Sequence, residues 1–333
     1  MNILWLIRHN IETKDGKYTS NTASVRYRCL IPAFQLLHQG HQVRVFAVEG
    51  CDNDVFKKTI NKIDVIIVSK VDYVKAEYLI SIAKQSGKKI IIDFCDVHFD
   101  KNEFMEPLNR ITKNIDLIVT STPKMKEITS QYFSNPIVEI SDPYEGTRKS
   151  PIFSPKRALQ LLWFGHITNI ETINPLVLSL PNANFQQPVE LKIISSELAN
   201  IRESCASYNT LHDGKVKLKF SLWSVNTVWR ALCSTDIVVI PSNDEKNNSV
   251  KSPNRLFESL WAGKMVVAHP IPTYSKFKDY AIIGSDIVEG ISQCLSHSEN
   301  EITDRISAGQ VYIKKHHSPS VIAKQWETAL KSL

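Results

Sequence analysis

The segment 251–264, KSPNRLFESLWAGK, places charged residues of both signs in one short predicted helix. Ser252 is a suitable N-cap ahead of a proline, so the first backbone N–H groups of the helix would face an anion. Lys251 and Arg255 would add positive charge, and an arginine can bind phosphate through two parallel hydrogen bonds. Glu258 can accept hydrogen bonds from both hydroxyls of a ribose. The spacing predicts a nucleotide site; the alternative is a capped surface helix with an Arg–Glu pair.

A second group of reactive side chains follows a predicted strand in the segment IIIDFCDVHFD, residues 90–100. It contains Asp93, Asp96, His98 and Asp100. A histidine among carboxylates can be oriented for acid–base work or for contact with a sugar hydroxyl, so Asp96 and His98 are the candidate catalytic residues. Metal ligation is open, but this spacing is not a specific metal signature. The alternative is a set of capping and turn residues.

A third group lies in SVRYR, where a long polar loop after the first predicted strand leads into a helix. Ser24 is the candidate N-cap. Arg26 and Arg28 are two residues apart and cannot share a helix face, so one would face a ligand and the other solvent. Arg26 and Tyr27 are the candidate acceptor contacts; the alternative is a pair of surface arginines. The loop has no G-x-G-x-x-G, which argues against a dinucleotide-dependent oxidoreductase.

The second half of the chain adds further candidates for the donor site. Gly165 in WFGHITN allows a ligand to approach the backbone. His166 and Thr168 are placed to contact phosphate or sugar. Trp223 follows a later strand and would pack near a base or, alternatively, in the core. Asn254, in the first turn of the helix at 253–262, belongs to the same donor set.

The elements that must position these residues form an alternation of apolar strands and amphipathic helices. The predicted strands are 2–7, 42–48, 64–69, 89–94, 116–121 and 136–141, then 159–165, 190–195, 216–221, 236–242 and 264–270. Gly40 and Gly87 end two of the intervening helices. Strands that are apolar on both faces indicate a parallel sheet covered by helices on both sides. The fold class is therefore α/β, with two Rossmann-like, doubly wound parallel-sheet domains.

A segment rich in proline and charge, 142–158, separates the two alternating regions. We expect an N-terminal domain over 1–145 on the acceptor side and a nucleotide-sugar-binding domain over 155–315. A helix over 316–333 would pack back on the first domain. Ligands of open α/β sheets bind beyond the carboxyl ends of the strands, so the candidate residues would meet in a cleft between the domains.

Composition excludes several classes of protein. The 333 residues carry a net charge of +6, spread evenly over both halves without a basic stripe, so no nucleic-acid partner is expected. There is no run of 18 apolar residues, and Arg8 and His9 interrupt the apolar start, so neither a membrane span nor a signal peptide is expected. The cysteines form no C-x-x-C pair. We expect a cytoplasmic protein, with at most a peripheral contact at the inner face of the plasma membrane.

With these residues in view, the chain resembles retaining GT-B glycosyltransferases, most closely glycosyltransferase family 4 and related bacterial surface-polysaccharide enzymes. The resemblance rests on DPYE, LLWFGH, DIVVIPS and KSPNRLFESLWAGKMVVAHP. It implies that Glu258 binds the donor ribose and that Lys251 and Arg255 bind the diphosphate. It also implies metal-independent transfer of a hexosyl or deoxyhexosyl group, without a cofactor, from a nucleotide sugar to a glycan or lipid-linked saccharide.

The chain departs from that family pattern at three places, and one of them is the absence of a glycine-rich loop after the first strand. Position 250, where the family often has a glutamate eight residues before the ribose glutamate, is Val250. The basic residues that often follow the glycine at 165 are replaced by HITNIE. Two other classes therefore stay open: a non-transferring GT-B enzyme of the sugar epimerase type, and a catalytically silent nucleotide-binding module.

Overall fold

The structure, a computed structural model, describes residues 1–8, 11–14, 17–49, 52–155, 158–197, 199–212, 214–243 and 246–333, with the backbone alone for 14, 17, 246 and 247. The chain divides into two compact units. The first unit comprises Met1–Glu145, Ser249–Ser252 and Lys315–Leu333, and the second comprises Gly146–Asn248 and Pro253–Lys314.

The first unit is built on a parallel sheet, and a separate antiparallel hairpin follows the first strand in sequence. Its strands are β1 (Asn2–Ile7), β2 (Glu12–Lys14), β3 (Lys17–Thr19), β4 (Gln42–Ala47), β5 (Val65–Ser69), β6 (Lys89–Phe94), β7 (Leu117–Thr120) and β8 (Ile137–Glu139). The order in the six-stranded sheet is β4-β1-β5-β6-β7-β8, and β2 pairs only with β3. Numbered within the sheet this is 2-1-3-4-5-6, the flavodoxin-like order, in which the chain changes direction between β1 and β5.

Helices cover both faces of this sheet. They are α1 (Ala23–Val25), a π-helical turn (Arg26–Leu30), α2 (Ile31–His38), α3 (Asn53–Ile60), α4 (Tyr73–Gln85), α5 (Asn102–Ile111), a 3-10 turn (Thr112–Asn114) and α6 (Pro123–Thr129). Side chains alternate along β1, so Leu4 and Leu6 pack into a core with α3 to α6. Trp5 enters a separate core on the opposite face with residues of α2.

The second unit has a parallel sheet of a different strand order. Its strands are β9 (Leu159–Phe164), β10 (Val189–Ser195), β11 (Val216–Leu222), β12 (Ile237–Ile240), β13 (Met265–Ala268) and β14 (Ile282–Ile283). They are arranged as β11-β10-β9-β12-β13-β14, which is the Rossmann order 3-2-1-4-5-6, with the change of direction between β9 and β12. Two parallel six-stranded sheets confirm the predicted α/β class.

The remaining helices are 3-10 turns (Ile167–Ile173 and Leu180–Asn182), α7 (Asn174–Ser179), α8 (Ile201–Leu211), α9 (Val225–Cys233), α10 (Lys246–Ser249), α11 (Asn254–Trp261), α12 (Pro272–Ser275), α13 (Ile287–Ser296), α14 (Glu299–His317) and α15 (Pro319–Lys331). Of these helices, α8, α9, α11 and α13 contact strands of the second sheet. Helix α15 lies in the first unit, where Trp326 packs edge-on against Trp5 with 4.9 Å between ring centroids. Within the described ranges, no helix has both the length and the apolarity to cross a membrane.

Candidate functional site

A cavity of about 500 Å³ opens at the carboxyl edge of the first sheet. Arg8 follows β1, Lys70 follows β5 and Cys95 follows β6, and all three line it. The cavity therefore lies beside the change of strand direction between β1 and β5, the position at which open α/β sheets bind ligands.

Asp96 stands at the centre of a charged cluster in this cavity. Its carboxylate pairs with the Lys70 ammonium at 2.7 Å, and the two side chains are 38% and 51% exposed. Burial by itself would raise the pKa of Asp96, but the charge and hydrogen bond of Lys70, with smaller contributions from His98 and Lys251, hold that pKa below its ordinary value. Lys251 acts here because Ser249–Ser252 belongs to the first unit: Val250 is buried in its core, and its carbonyl accepts a hydrogen bond from the Thr122 hydroxyl at 3.1 Å.

The candidate catalytic pair is brought together, since Asp96 and His98 both line the cavity. The His98 ring is half-buried and meets Phe104 edge-on, with 5.4 Å between centroids. Its Nδ1 is buried without a hydrogen-bond partner in the described part of the chain, and the same holds for the Ser24 hydroxyl on the cavity wall. Ser24 is not the N-cap that the sequence predicts, because α1 begins at Ala23 and Thr22 is its N-cap.

Arg28 is almost completely buried in this unit, so the interpretation as a surface arginine is wrong. The guanidinium is 1% exposed and donates to Asp93 at 2.6 Å and to Asp142 at 2.8 Å. Burial opposes its charge, but the two carboxylates raise the pKa of Arg28 above its ordinary value. The Ser69 hydroxyl donates to Asp93 at 3.0 Å. Asp93 therefore serves this buried network rather than the Asp96 cluster.

Arg26 and Tyr27 are buried too, at 6% and 2% exposure. The Arg26 guanidinium donates to Glu145 at 3.0 Å and to the Ser20 carbonyl at 2.9 Å. Both arginines lie in the π-helical turn and both donate to the segment 142–145, Arg26 to Glu145 and Arg28 to Asp142. The Arg26 guanidinium is thus engaged within the first unit, and the contact of Arg26 and Tyr27 with an acceptor stays a prediction.

In the second unit, Arg255 lies at the change of strand direction. Its Nη1 donates to the Phe164 carbonyl at 3.3 Å, at the end of β9. Its other contact is Tyr274, whose pKa is raised by burial and lowered in part by Arg255. Both partners are uncharged, and no carboxylate lies within ion-pair distance of Arg255 in the described residues. Its positive charge is thus available to an anion.

Gly165 lies directly beside that arginine. A side chain at this position would meet the Trp163 ring at 3.2 Å and the Arg255 Nη1 at 3.4 Å, so the space is narrow. The Gly165 N–H donates to the Ile194 carbonyl at 3.1 Å, and its own carbonyl accepts from the Ser195 hydroxyl at 3.0 Å. The neighbouring strand thus fixes the loop that adjoins Arg255.

His166 and Trp223 take defined positions beside this loop. Nδ1 of His166 accepts from the Thr168 N–H at 3.3 Å and lies 3.0 Å from its hydroxyl. An accepting Nδ1 leaves the proton on Nε2, which makes the exposed ring a donor. Trp223 is half-buried outside the core, and its backbone N–H donates to the Ser195 carbonyl at 2.8 Å.

The helix of the opening motif, α11, begins at Asn254 with Pro253 as its N-cap and no side-chain capping bond. The predicted Ser252 cap is therefore wrong, since the chain enters the helix one residue later. Glu258 lies one turn after Arg255 and is 7% exposed. Lys251 and Ser252 lie in the first unit, whereas Asn254, Arg255 and Glu258 lie in the second. Neither unit by itself brings Lys251 and Arg255 together.

Several residues of these sites were not found from the sequence. Lys70 and Ser195 immediately follow or end a strand, and this position alone was the available signal. Tyr274 gave no signal in the sequence, since a tyrosine in a short helix is an ordinary core residue. Among the described residues, no group of three or more His, Cys, Asp or Glu side chains could hold a metal ion.

Comparison with solved structures identifies the class of fold. Anabaena Alr3699/HepE in complex with UDP and glucose is similar with a TM-score of 0.72 and 14% identity over 100% of both chains. A glycosyltransferase from Rickettsia africae gives 0.69 and 12%, over 99% of this chain and 98% of the other. An E. coli structure, described as trehalose-6-phosphate bound with UDP-2-fluoro glucose, gives 0.65 and 9%, over 100% and 99%. The chain thus has the GT-B fold of glycosyltransferases.

A scan against protein-family models finds no match, and a search of curated proteins finds none.

Proposed function

We propose that the chain is a glycosyltransferase that moves a sugar from a uridine nucleotide sugar to a hydroxyl group of a saccharide acceptor. One observation carries the proposal: Arg255, with uncharged partners only among the described residues, lies against Gly165 where the strands of the second sheet change direction. The similar solved structures that contain UDP, glucose or UDP-2-fluoro glucose support a uridine nucleotide as the donor.

The donor is assigned to the second unit. Arg255 would bind the diphosphate through its guanidinium, assisted by the first N–H groups of α11, which have no side-chain cap. Glu258 would accept the ribose hydroxyls, and the Nε2–H of His166 would donate to a phosphate or sugar oxygen. Trp223, half-buried at the end of β11, would pack beside the base.

The acceptor is assigned to the cavity of the first unit. Asp96, held ionised by its basic neighbours, and His98 would orient the reacting hydroxyl by hydrogen bonds. Aromatic side chains line the same cavity, and Phe104 and Tyr73 meet edge-on with 5.2 Å between ring centroids. An apolar wall next to a few convergent polar groups is the usual composition of a small-molecule site.

The reaction exchanges one glycosidic bond for another. The bond between the anomeric carbon and the β-phosphate oxygen breaks, and its electron pair leaves with the diphosphate. The acceptor oxygen bonds to the same carbon, and its proton passes to the departing phosphate. Fixed positive charge at Arg255 and at the start of α11 stabilises the charge that develops there, without a metal ion.

The finer features of the function rest on the resemblance seen in the sequence. On that basis we include in the proposal a retaining reaction, a hexosyl or deoxyhexosyl donor and a role in cell-surface polysaccharide synthesis. The acceptor would be a glycan or a lipid-linked saccharide, and the enzyme would act in the cytoplasm.

A thermal-shift panel of nucleotides and nucleotide sugars tests the donor assignment. A ligand present at 100 times its Kd stabilises the native state by about 2.7 kcal/mol, so binding raises the melting temperature measurably. We expect UDP and UDP-sugars to shift it more than GDP, ADP or uridine. The absence of a shift with every nucleotide would contradict the proposal.

Product analysis then distinguishes the three candidate classes, namely a transferase, an epimerase and a silent nucleotide-binding module. Transfer yields UDP together with a glycosylated acceptor. An epimerase would change the sugar of the donor without an acceptor, and a silent module would bind nucleotide and leave it unchanged. Either of the last two results would overturn the transferase assignment while leaving the nucleotide site in place.

A further inference from the structure

The guanidinium of Arg255 is held by two uncharged groups of the second unit. Its Nη1 donates to the Phe164 carbonyl at 3.3 Å. It also forms a hydrogen bond with the hydroxyl of Tyr274. An arginine side chain has donors only, so the tyrosine oxygen is the acceptor in that bond. Among the described residues the guanidinium has no further hydrogen bond, and it therefore keeps N–H donors for a ligand.

Tyr274 depends on this contact in turn. Its side chain is 1% exposed. A buried hydroxyl costs free energy unless it has a hydrogen-bond partner. In the described part of the chain Arg255 is the partner of this hydroxyl. A phenylalanine would satisfy the surrounding core equally well, so the hydroxyl group calls for an explanation of its own.

The tyrosine orients the arginine without neutralising it. Burial raises the pKa of the Tyr274 hydroxyl, and the charge of Arg255 offsets that rise only in part. The phenol therefore stays uncharged at neutral pH. A carboxylate in the same place would pair with the guanidinium and compete with an anionic ligand for its donors. A neutral acceptor fixes the side chain and leaves its charge available.

The backbone around Tyr274 holds the hydroxyl in place. Pro270 and Pro272 precede it, and each proline fixes its own φ. The Tyr274 N–H donates to the Ile271 carbonyl at 2.9 Å, and the Tyr274 carbonyl accepts from the Phe277 N–H at 2.8 Å. The position of the tyrosine is thus set by its own segment, between β13 and β14.

This segment also packs against helix α11, which carries Arg255. Phe277 and Phe257 of α11 are fully buried, and their rings meet edge-on with 5.4 Å between centroids. On the helix itself, the Ser259 hydroxyl donates to the Arg255 carbonyl at 2.6 Å. Close packing of this kind resists displacement. The tyrosine and the arginine therefore keep a fixed separation at the level of the backbone.

We propose that Tyr274 is a positioning residue for the donor, a role that rests on the function proposed above. Its hydroxyl holds the guanidinium of Arg255, before the donor arrives, in the orientation in which the guanidinium meets the diphosphate. A long side chain that is loose in the unbound protein loses its freedom on binding, and this loss weakens affinity. Tyr274 removes most of that cost in advance and does not itself touch the substrate.

Calorimetric titration of UDP and uridine into Tyr274→Phe tests this role, since the substitution keeps the ring and removes only the hydroxyl. We expect UDP to bind about three- to tenfold more weakly, the cost of fixing one long side chain on binding. Uridine has no phosphate and should bind as before. In the matched control Tyr208→Phe, the lost hydroxyl donates to the Val177 carbonyl at 2.7 Å in the same unit, and both affinities should stay unchanged. Parent-like UDP affinity in Tyr274→Phe would overturn the proposal.

A double-mutant cycle with Arg255→Ala separates positioning from a structural effect. If the hydroxyl acts through the arginine, Tyr274→Phe should not weaken UDP further once Arg255 is removed. An equal loss with and without the arginine would contradict the proposal. Urea unfolding of the same variants measures stability independently. A hydroxyl with a structural role alone would lower the free energy of unfolding and change the binding of UDP and uridine alike.

The same titrations distinguish this role from the proposed function. UDP binding that depends on Arg255 but not on Tyr274 overturns the positioning role and leaves the function standing. UDP binding that depends on both residues, in a chain whose products show no sugar transfer, supports the positioning role and removes the glycosyltransferase assignment. A parent chain that does not bind UDP overturns both.

Discussion

The two sheets carry two different kinds of candidate site at the same topological position. In the first unit, the residues after β1, β5 and β6 surround a cavity with paired charges, and Asp96 is held by Lys70 at 2.7 Å. In the second unit, Arg255 is held by a backbone carbonyl and by Tyr274, without a carboxylate among the described residues. The carboxyl edge of a parallel sheet can thus carry either side-chain charges that pair with one another or a single cation that is held by uncharged groups.

The difference has a physical cause in how each site is supported. Beneath the first site lies the buried network of Arg28, Asp93 and Asp142, and buried charges persist only when they are paired and hydrogen-bonded. Beneath the second lies Gly165, fixed by neutral hydrogen bonds to β10. The first unit should therefore be the more sensitive to loss of a charge, and the second to an added side chain.

The largest expected effect is the loss of Arg28. Arg28→Met leaves two carboxylates buried without their cation and should lower the free energy of unfolding by about 3–5 kcal/mol. Urea unfolding measures the loss, and hydrogen exchange should place it in the first unit. Lys124→Met breaks only the exposed pair with Glu127 and should cost less than about 1 kcal/mol. Equal effects of the two substitutions would remove the distinction between buried and exposed charge.

Gly263→Ala in the second unit should lower the free energy of unfolding more than the matched substitution Gly40→Ala in the first unit. Gly263 has a φ of 74°, and an added side chain would run into the Ser150 carbonyl oxygen. Gly40 in the first unit has a φ of 88° but open space around it, so Gly40→Ala should cost only the left-handed strain of about 1–2 kcal/mol. Overpacking should add about 1–3 kcal/mol at Gly263. The midpoints of chemical unfolding of the two variants test this; similar midpoints would contradict it.

At the first site, His98→Ala should lower turnover at least tenfold and leave the affinity for UDP unchanged, because His98 belongs to the unit without the proposed donor site. A tenfold change corresponds to about 1.4 kcal/mol. His38→Ala, on the exposed side of α2, is the matched control. Wild-type turnover in the His98 variant would return His98 to a structural role beside Phe104.

The smallest expected effect is a change in one pKa. Burial favours the protonated form of Asp96, and Lys70 is the main group that keeps the carboxyl ionised. Lys70→Gln should therefore raise the pKa of the Asp96 carboxyl, which NMR titration measures. In the parent chain the pKa of Asp96 is lowered on folding. Its contribution to stability is therefore present above the unfolded pKa of about 3.9 and lost as the pH falls through the folded value. An unchanged pKa in the variant would show that Lys70 does not control Asp96.

The fold follows from the sequence to within a residue or two at most strand ends, because both sheets are buried and their strands read as continuous apolar runs. β1 and β6 have the predicted limits, and β9 ends one residue early at Phe164. The strand order could not be read in the same way. Both strand orders are compatible with the same alternation of strands and helices. The order depends on the edge of the growing sheet to which each connection brings the next strand.

The candidate sites were predicted unequally. The opening motif predicted Arg255 and Glu258 as donor contacts, because a helix start after a strand has a recognisable local pattern, and their binding of a ligand stays a prediction. The boundary between the two units falls inside that motif, between Ser252 and Pro253. The residues before the boundary belong to the first unit, where Val250 is buried in the core. The burial of Arg26 and Arg28 was missed for a similar reason: their partners Glu145 and Asp142 lie more than 100 residues away in sequence, and a π-helical turn leaves no clear local signal.

Nucleotide binding in the second unit is assigned here to Arg255 and Glu258. Calorimetric titration of UDP and uridine into the parent chain, Arg255→Ala and Glu258→Gln tests it most directly, with Arg230→Ala and Glu203→Gln as exposed controls in the same unit. We expect Arg255→Ala to weaken the binding of UDP at least tenfold and that of uridine hardly at all, since only UDP has the phosphates. Glu258→Gln should weaken both ligands by about 1.4 kcal/mol or more, because both contain the ribose. UDP affinity equal to that of the parent in both variants, with the fold intact, would contradict the claim.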